Sequence, residues 1–269
     1  MRIVVEHRTR YRYEAPAAYS AQLLRLTPAV FDGQKVIDWK VDSQPATPLR
    51  EGRDGFGNIT HFLTVNRPHE GIEIVASGTV ETADTAGVVA GLSEVVPLAV
   101  YLRHTPLTEP DAAISALAEA LPASERVPWL HALMAAIRER VAYVTGVTGT
   151  ETTAAQALAA GQGVCQDHAH IFIAAARQAG VPARYVTGYL FLDDPDHAVA
   201  HHAWTEAWVA GLGWVGFDAA NGVCPTEHHV RLAAALDARY AAPIRGMHRG
   251  GAGESLAVEV KVQQTTPQQ

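Results

Sequence analysis

The sequence predicts an α+β fold in which a β-rich first region precedes a region of helices and strands. Residues 1–82 contain short apolar or alternating runs separated by Pro, Gly and Asp, which is typical of strands joined by turns. Residues 83–160 carry apolar side chains at helical spacing, and residues 161–262 combine one helical segment with several strand-like runs. These three patterns together indicate both structure types in one chain.

The first region, residues 1–82, is predicted to form a small β-sandwich-like domain. Its predicted strands include residues 3–5, 22–26, 36–41 and 72–76. The segment of residues 53–58 has the Gly and Asn that a tight turn needs, because both tolerate positive φ. No cluster of titratable side chains stands out here, so we expect this domain to be structural or to shape the substrate site.

The second domain is predicted to span residues 83–262, with helices first. Thr153 and Gln156 fit a capping box at the start of a short helix. A longer helix is predicted over residues 165–179, closed by Gly180 and Pro182. Four strand-like runs follow, at residues 184–190, 202–209, 214–218 and 256–262, and the polar residues 263–269 are predicted to be disordered.

Composition and charge limit the classes of partner. The chain has 28 acidic and 21 basic residues, a net charge of -7, and no stretch that concentrates positive charge. This argues against nucleic acid or an anionic membrane as a partner. No apolar run approaches the roughly 18 residues needed to cross a bilayer, so a soluble cytoplasmic protein is expected. In that compartment Cys165 and Cys224 are expected to be free thiols.

The first candidate for chemistry is Cys165, which follows two glycines and opens a predicted helix. A helix N-terminus carries roughly half a positive charge, which favours a thiolate over a thiol. The backbone N–H of Cys165 is also placed to face a developing oxyanion. A buried structural cysteine at a helix start fits this segment equally well.

Two further candidates lie on a predicted antiparallel hairpin closed by residues 210–213. His202 shares one strand face with Trp204 and Glu206, because side chains alternate along a strand. The hairpin brings Asp218 within a few residues of His202, and an even sum of paired positions puts both on the same face. Spacing alone does not decide whether His201 or His202 is the functional histidine. Asp218 is also explained as an ordinary turn residue at the end of a strand.

Cysteine at a helix start, then histidine, then aspartate, is the chain order of papain-like thiol enzymes. The chain resembles the bacterial transglutaminase-like family of cysteine-protease-like enzymes together with its β-rich N-terminal domain. The segments that carry the core resemblance are residues 163–170 (Gly-Val-Cys-Gln-Asp-His-Ala-His), 184–189 (Arg-Tyr-Val-Thr-Gly-Tyr), 202–204 (His-Ala-Trp) and 213–218 (Gly-Trp-Val-Gly-Phe-Asp). Residues 55–58 (Gly-Phe-Gly-Asn) and 67–69 (Arg-Pro-His) carry the resemblance in the first domain.

The resemblance implies a papain-like core, with the cysteine-bearing helix packed on an antiparallel sheet. It implies Cys165 as nucleophile, His202 as general base and Asp218 as the orienting carboxylate. The family usually has Asp-Pro-Thr-Asn where this chain has Asp-Ala-Ala-Asn, so a different loop is expected after Asp218. The expected function is acyl transfer from a peptide, protein or small amide through an acyl-thioester, without a cofactor. Hydrolysis is favoured over transamidation to an amine.

Two other classes are weighed against the thiol enzyme: a non-catalytic binding module that retains the fold, and a zinc hydrolase. The 13 histidines include no established metal-binding spacing, and His168 and His170, two apart on a helix, point to different sides. No metal site is therefore predicted. Tyr189 and Trp204 are candidates for lining the substrate cleft, although aromatic packing also explains them. The pair at positions 228 and 229 is interpreted as two polar surface histidines.

Overall fold

A computed structural model describes residues 1–122, 125–192 and 201–265. In these ranges two large antiparallel sheets and four α-helices account for most of the fold. The strands are β1 (Arg2–Leu24), β2 (Gln34–Gln44), β3 (Arg50–Arg53), β4 (Ile59–Val65), β5 (His69–Thr82), β6 (Val88–Val89), β7 (Ala142–Tyr143), β8 (Gln162–Gly163), β9 (Ala183–Leu190), β10 (His201–Val209), β11 (Gly213–Phe217), β12 (His229–Ala235), β13 (Ile244–Gly250) and β14 (Glu254–Gln264). The helices are α1 (Ala112–Glu119), α2 (Arg126–Arg140), α3 (Ala154–Ala160) and α4 (Cys165–Gln178).

The first sheet is organised around β1, a strand of 23 residues. β5 and β4 pair with successive halves of β1 along one edge, and β14 and β13 pair with the same halves along the other. β2 and β3 complete the sheet outside β5 and β4. The predicted α+β class with a sheet-rich first region is therefore confirmed.

The C-terminal part of the chain belongs to this first sheet. The sequence-based division assigns residues up to 262 to the second domain, whereas β13 and β14, within residues 244–264, pair with β1. Gln263 and Gln264, predicted to be disordered, are the last residues of β14. Residues 266–269 of the predicted tail lie outside the described residues. The two divisions differ because the second edge of β1 pairs with strands from the other end of the chain, and β1 is long enough to pair with both of them.

The second sheet has the order β12-β9-β10-β11-β6 and lies between the helices and the first sheet. Alternation along β10 directs Ala203 and Ala207 into the helical core, where they join Phe172 of α4 and Phe217 of β11. Tyr189 and Val230 face the other way and pack with Ile3 of β1. Both faces of the second sheet are therefore buried, one by helices and one by the first sheet.

The helices begin and end where local sequence predicts. Thr153 and Gln156 form the predicted capping box of α3, and Gly161 closes that helix with φ +65°. The predicted helix over residues 165–179 is α4, which spans Cys165–Gln178. Across the described ranges, the helices are too short or too polar to traverse a bilayer.

Candidate functional site

The start of α4 fixes the position of Cys165. Cys165 is the first residue of the helix and is half-buried. One oxygen of the Asp167 carboxylate accepts hydrogen bonds from the Val164 backbone N–H at 2.8 Å and from the Thr148 hydroxyl at 2.6 Å. Gly163 allows this arrangement, because a Cβ there would lie 2.7 Å from the same oxygen. The helix start is thus clamped immediately beside the sulfur.

The hairpin of β10 and β11 places His202 and Asp218 together. Thr205 pairs with Phe217, so the paired positions have an even sum and residues 202 and 218 share a face. His202 Nε2 lies 2.7 Å from Asp218 Oδ2. Because a carboxylate only accepts, Nε2 carries the proton, and Nδ1 is the ring nitrogen left for the Cys165 thiol, which interacts with His202.

The Asp218 carboxylate is fully buried and heavily hydrogen-bonded. Besides His202, it accepts from Asn221 Nδ2 at 2.7 Å, from the Asn221 backbone N–H at 3.2 Å and from His229 Nε2 at 3.2 Å. Burial favours the neutral acid, but the hydrogen bonds from His202 and His229 outweigh it and hold the pKa of Asp218 far below its ordinary value. Asp218 is consequently a carboxylate at every pH of interest.

This carboxylate controls the charge on His202. Burial lowers the pKa of His202, but the hydrogen bonds to Asp218 and Cys165, together with their negative charges, raise it to about 10. At neutral pH the ring is therefore an imidazolium between a carboxylate and the sulfur. Such a group is able to hold a thiolate and to donate a proton.

Three residues at this site were not predicted from the sequence. Tyr143 of β7 is paired with Gly163 of β8, and its side chain interacts with Cys165. Burial, followed by the charges of Cys165 and Asp218, raises the pKa of Tyr143 to about 12, so the hydroxyl stays protonated. Asn221 and His229 are the other two. His229 is buried against Asp218, so its interpretation as a surface histidine is wrong.

The two predicted substrate-contacting aromatics lie in packed positions. Tyr189 is fully buried, and its hydroxyl lies 2.9 Å from His7 Nδ1 of β1, so it faces the first sheet. Trp204 is 3% exposed and stacks on the His202 ring, with 6.2 Å between centroids. Trp204 thus supports His202 from within and also lines a small cavity together with His229 and Arg231, whereas Tyr189 faces the first sheet.

The remaining candidates have structural surroundings. Both ring nitrogens of His168 lie 2.9 Å from backbone carbonyl oxygens, those of Val164 and Val141. His170 is fully buried and accepts from the Ala238 N–H at 3.2 Å. Burial, followed by the charge of Asp84, raises the pKa of the half-buried Cys224 thiol.

Among the described residues, His202, Asp218 and His229 form a group whose donor atoms lie within 4.8 Å of one another. Ligands at the usual Zn–N and Zn–O distances of about 2.0–2.1 Å in a tetrahedron are separated by about 3.3 Å. The 2.7 Å between His202 and Asp218 is a hydrogen-bond distance instead. Hydrogen bonding within the group accounts for its geometry.

Comparison with known proteins identifies the family. A model of the bacterial transglutaminase-like N-terminal region matches residues 3–81, and a model of the transglutaminase-like superfamily matches residues 115–219. An uncharacterised protein of Mycobacterium leprae is 31% identical over 276 residues, which cover 97% of this chain and 98% of that protein. The chain belongs to the transglutaminase-like superfamily. The resemblance inferred from its sequence motifs is thereby confirmed.

Further proteins are similar to this transglutaminase-like chain over nearly its whole length. An uncharacterised protein of Mycobacterium bovis is 30% identical over 270 residues, which cover 90% of this chain and 86% of the relative. The crystal structure of a "Putative Cysteine Protease from Cytophaga hutchinsonii" superposes with a TM-score of 0.77 at 23% identity, covering 99% of this chain and 92% of that one. This structural likeness concerns the fold, a transglutaminase-like core preceded by a sheet-rich region.

Proposed function

We propose that this protein is a thiol-dependent acyl-transfer enzyme with Cys165 as nucleophile, His202 as acid and base, and Asp218 as the orienting carboxylate. The observation that carries the proposal is the 2.7 Å hydrogen bond between His202 and the buried Asp218, on a hairpin whose His202 ring interacts with Cys165 at the start of α4. A nucleophile beside a base that is oriented by a third group is the arrangement that covalent catalysis requires.

The reaction begins from the thiolate and imidazolium pair. The Cys165 sulfur attacks the carbonyl carbon of an amide or ester, and the carbonyl electron pair moves to the oxygen. His202 then donates its Nδ1 proton to the leaving nitrogen or oxygen as the carbonyl re-forms, which leaves an acyl-thioester and a neutral imidazole. A second nucleophile loses its proton to His202, attacks the thioester and releases the thiolate.

Two donors support the tetrahedral intermediate in this proposal. The backbone N–H of Cys165 is free of an α-helical partner because it is the first of the helix. The Tyr143 hydroxyl is beside the sulfur and remains protonated, since its pKa is raised to about 12. Both donors are held on regular elements before the substrate binds, which is what makes such donors effective.

The acyl acceptor decides between hydrolysis and transamidation, and we propose hydrolysis of a peptide or amide bond. The test is incubation of the protein with a library of peptide, amide and ester donors, with and without a primary amine. Mass spectrometry follows the mass of the protein and the products. Free acid in both arms supports hydrolysis, whereas a new amide in the amine arm supports transamidation.

The matched control is Cys165→Ser, which removes the thiol and keeps the size of the side chain. The proposal predicts no adduct and no turnover of amide donors by this variant. Turnover equal to that of the wild type would overturn the thiol mechanism. Binding of donors without turnover by either protein would support a non-catalytic binding module instead.

A further inference from the structure

We propose that His229 is a positioning residue of this site, a fixed hydrogen-bond donor that acts on His202 through the Asp218 carboxylate. The inference rests on the function proposed above and adds a fourth side chain to it. His229 touches Asp218 and has no contact of its own with the sulfur or the substrate carbonyl in the proposed mechanism. Its effect must therefore pass through the carboxylate.

The proton on the His229 ring is located by the hydrogen bonds of both nitrogens. The Thr226 backbone N–H donates to His229 Nδ1 at 3.1 Å, so Nδ1 is the acceptor. The ring proton consequently lies on Nε2, which faces Asp218 Oδ2 at 3.2 Å. His229 is thus a neutral donor whose orientation is fixed from both sides.

The packing around His229 prevents the ring from turning away. His229 is the first residue of β12 and is 7% exposed. The Trp204 ring meets it edge to face at 5.4 Å between centroids, and Trp204 also stacks on His202. The indole therefore contacts both histidines, whose rings lie 6.0 Å apart between centroids, and both histidines donate to the same carboxylate oxygen.

The consequence concerns the direction in which Asp218 presents its charge. Oδ2 accepts from three side-chain donors, those of His202, His229 and Asn221. With its other donors on strand β12 and in the turn after β11, the carboxylate has one orientation in which every donor is satisfied. In that orientation Oδ2 also accepts from His202 Nε2, and this hydrogen bond fixes the imidazolium against Cys165.

Loss of the His229 donor removes one fixed partner of the Asp218 carboxylate. The titratable groups around the carboxylate are His202 and His229 on strands, Cys165 at the start of α4 and Tyr143 on β7. Without His229, Asp218 still accepts hydrogen bonds from His202 and Asn221 and remains a carboxylate. The loss therefore changes how the carboxylate is oriented, and with it how firmly the imidazolium is held against Cys165.

Two substitutions separate the role of the donor from a role in folding. His229→Gln places a side-chain N–H near the position of Nε2 and retains donation to Asp218. His229→Asn retains an acceptor near the position of Nδ1 for the Thr226 N–H, but its amide is too short to reach Asp218. The readout is the rate at which iodoacetamide alkylates Cys165 between pH 4 and pH 9, measured peptide by peptide, with Cys224 as the internal reference.

A positioning role predicts that His229→Gln alkylates Cys165 within a few-fold of wild type over the whole range. It predicts that His229→Asn alkylates Cys165 about tenfold more slowly at pH 7, because a less firmly held carboxylate no longer fixes the imidazolium against the thiol, and one hydrogen bond to a charged group has an effect of this order. The opposite ranking, with His229→Asn unchanged and His229→Gln slow or unfolded, assigns His229 to holding the Thr226 turn and overturns the inference.

The same measurement distinguishes this inference from the function on which it rests. If Cys165 is not an activated nucleophile, the wild-type protein itself shows no preference for Cys165 over Cys224. If only the inference about His229 fails, the wild type retains that preference and both variants alkylate Cys165 at the wild-type rate.

Discussion

Cys165 and Cys224 carry the same thiol in different surroundings, and the candidate site depends on that difference. Cys165 opens α4 and interacts with the side chains of His202 and Tyr143. Cys224 packs near Gly87, and burial raises the pKa of its thiol. Since the thiolate is the reactive form of cysteine, the surroundings and not the residue type decide which thiol reacts.

We therefore expect iodoacetamide to label Cys165 at least about tenfold faster than Cys224 at pH 7, because a thiol that stays protonated is a poor nucleophile. Peptide mapping after short exposures measures both rates in one sample. His202→Ala is the informative variant, since it removes the imidazolium and should bring the two rates together. Equal, slow labelling of both cysteines in the wild type would contradict an activated Cys165.

The pH dependence of turnover follows from His202. Its pKa is raised to about 10, so the imidazolium is present through neutral pH and is lost as the pH rises through about 10. We expect turnover to be retained to about pH 9 and to fall near pH 10, as measured by kcat against the best donor found.

Asp218→Asn tests the origin of that raised pKa. It removes the carboxylate that stabilises the imidazolium, so the alkaline limb should move to lower pH. By analogy with the serine-protease aspartate, kcat should fall by about 10⁴-fold. An unchanged alkaline limb in this variant would show that Asp218 does not control His202.

At the scale of secondary-structure elements, the start of α4 determines whether Cys165 meets His202. The Asp167 carboxylate joins the Val164 N–H to the Thr148 hydroxyl, and this junction leaves no room for a side chain at position 163. A shift of the helix by a fraction of its pitch would move the sulfur away from the β10–β11 hairpin. Gly163 is thus required because a Cβ would collide with Asp167, and not because of its backbone conformation.

Gly163→Ala should therefore lower the stability of the protein by about 1–3 kcal/mol, the usual cost of overpacking. It should also slow alkylation of Cys165 by more than it slows alkylation of Cys224. Gly149→Ala is the matched control, because a Cβ there meets nothing within 4 Å. Thermal unfolding and peptide-resolved labelling measure the two effects, and equal behaviour of both variants would refute this account of the helix start.

The sequence predicts these local elements well and the contacts between distant ones poorly. The glycines before Cys165 and the alternation over residues 201–209 predict α4 and β10, because both are local patterns. Tyr143 lies on a strand of two residues, which is too short to carry a pattern. Residues 229–232 alternate polar and apolar side chains, but this alternation does not reveal that the polar face is buried against another element. Two adjacent histidines at positions 228 and 229 are visible in the sequence, but a polar pair of this kind predicts a surface position and not a buried one.

At the scale of the whole molecule, the second sheet is held by charge as well as by apolar packing. Glu206 of β10 is fully buried and accepts from Arg184 Nε at 2.6 Å and from Arg231 Nε at 2.8 Å. Burial opposes its ionisation, but the two guanidinium groups lower its pKa to about 2. The carboxylate therefore joins three neighbouring strands, β9, β10 and β12.

Glu206→Gln should cost about 3–5 kcal/mol of unfolding free energy at pH 7, because it leaves the buried Arg231 without its counter-ion and Arg184 with the partly exposed Glu94 alone. Asp42→Asn, which breaks the exposed pair with Lys40, is the control and should cost less than about 1 kcal/mol. Urea unfolding measures both. The lowered pKa predicts that the Glu206→Gln difference is complete above pH 4.5 and shrinks as the pH falls towards about 2.

The first sheet is completed by strands from both ends of the chain. Residues 254–264 pair with residues 3–13, and no local pattern in either segment specifies a partner so far away in the chain. Apolar runs predict that both are strands, but pairing depends on which edges remain open after the rest has folded. The domain division drawn from sequence order differs from the strand pairing for this reason.

The central claim, that Cys165 forms an acyl-thioester, is tested most directly by trapping that intermediate. The protein is mixed with an activated ester or amide donor, quenched in acid within the first turnover, digested and mapped by mass spectrometry. The account predicts one acyl group on the Cys165 peptide, removed by hydroxylamine and absent from Cys165→Ser and from Cys224. Product release without any adduct on Cys165, at a rate unchanged in Cys165→Ser, would contradict it.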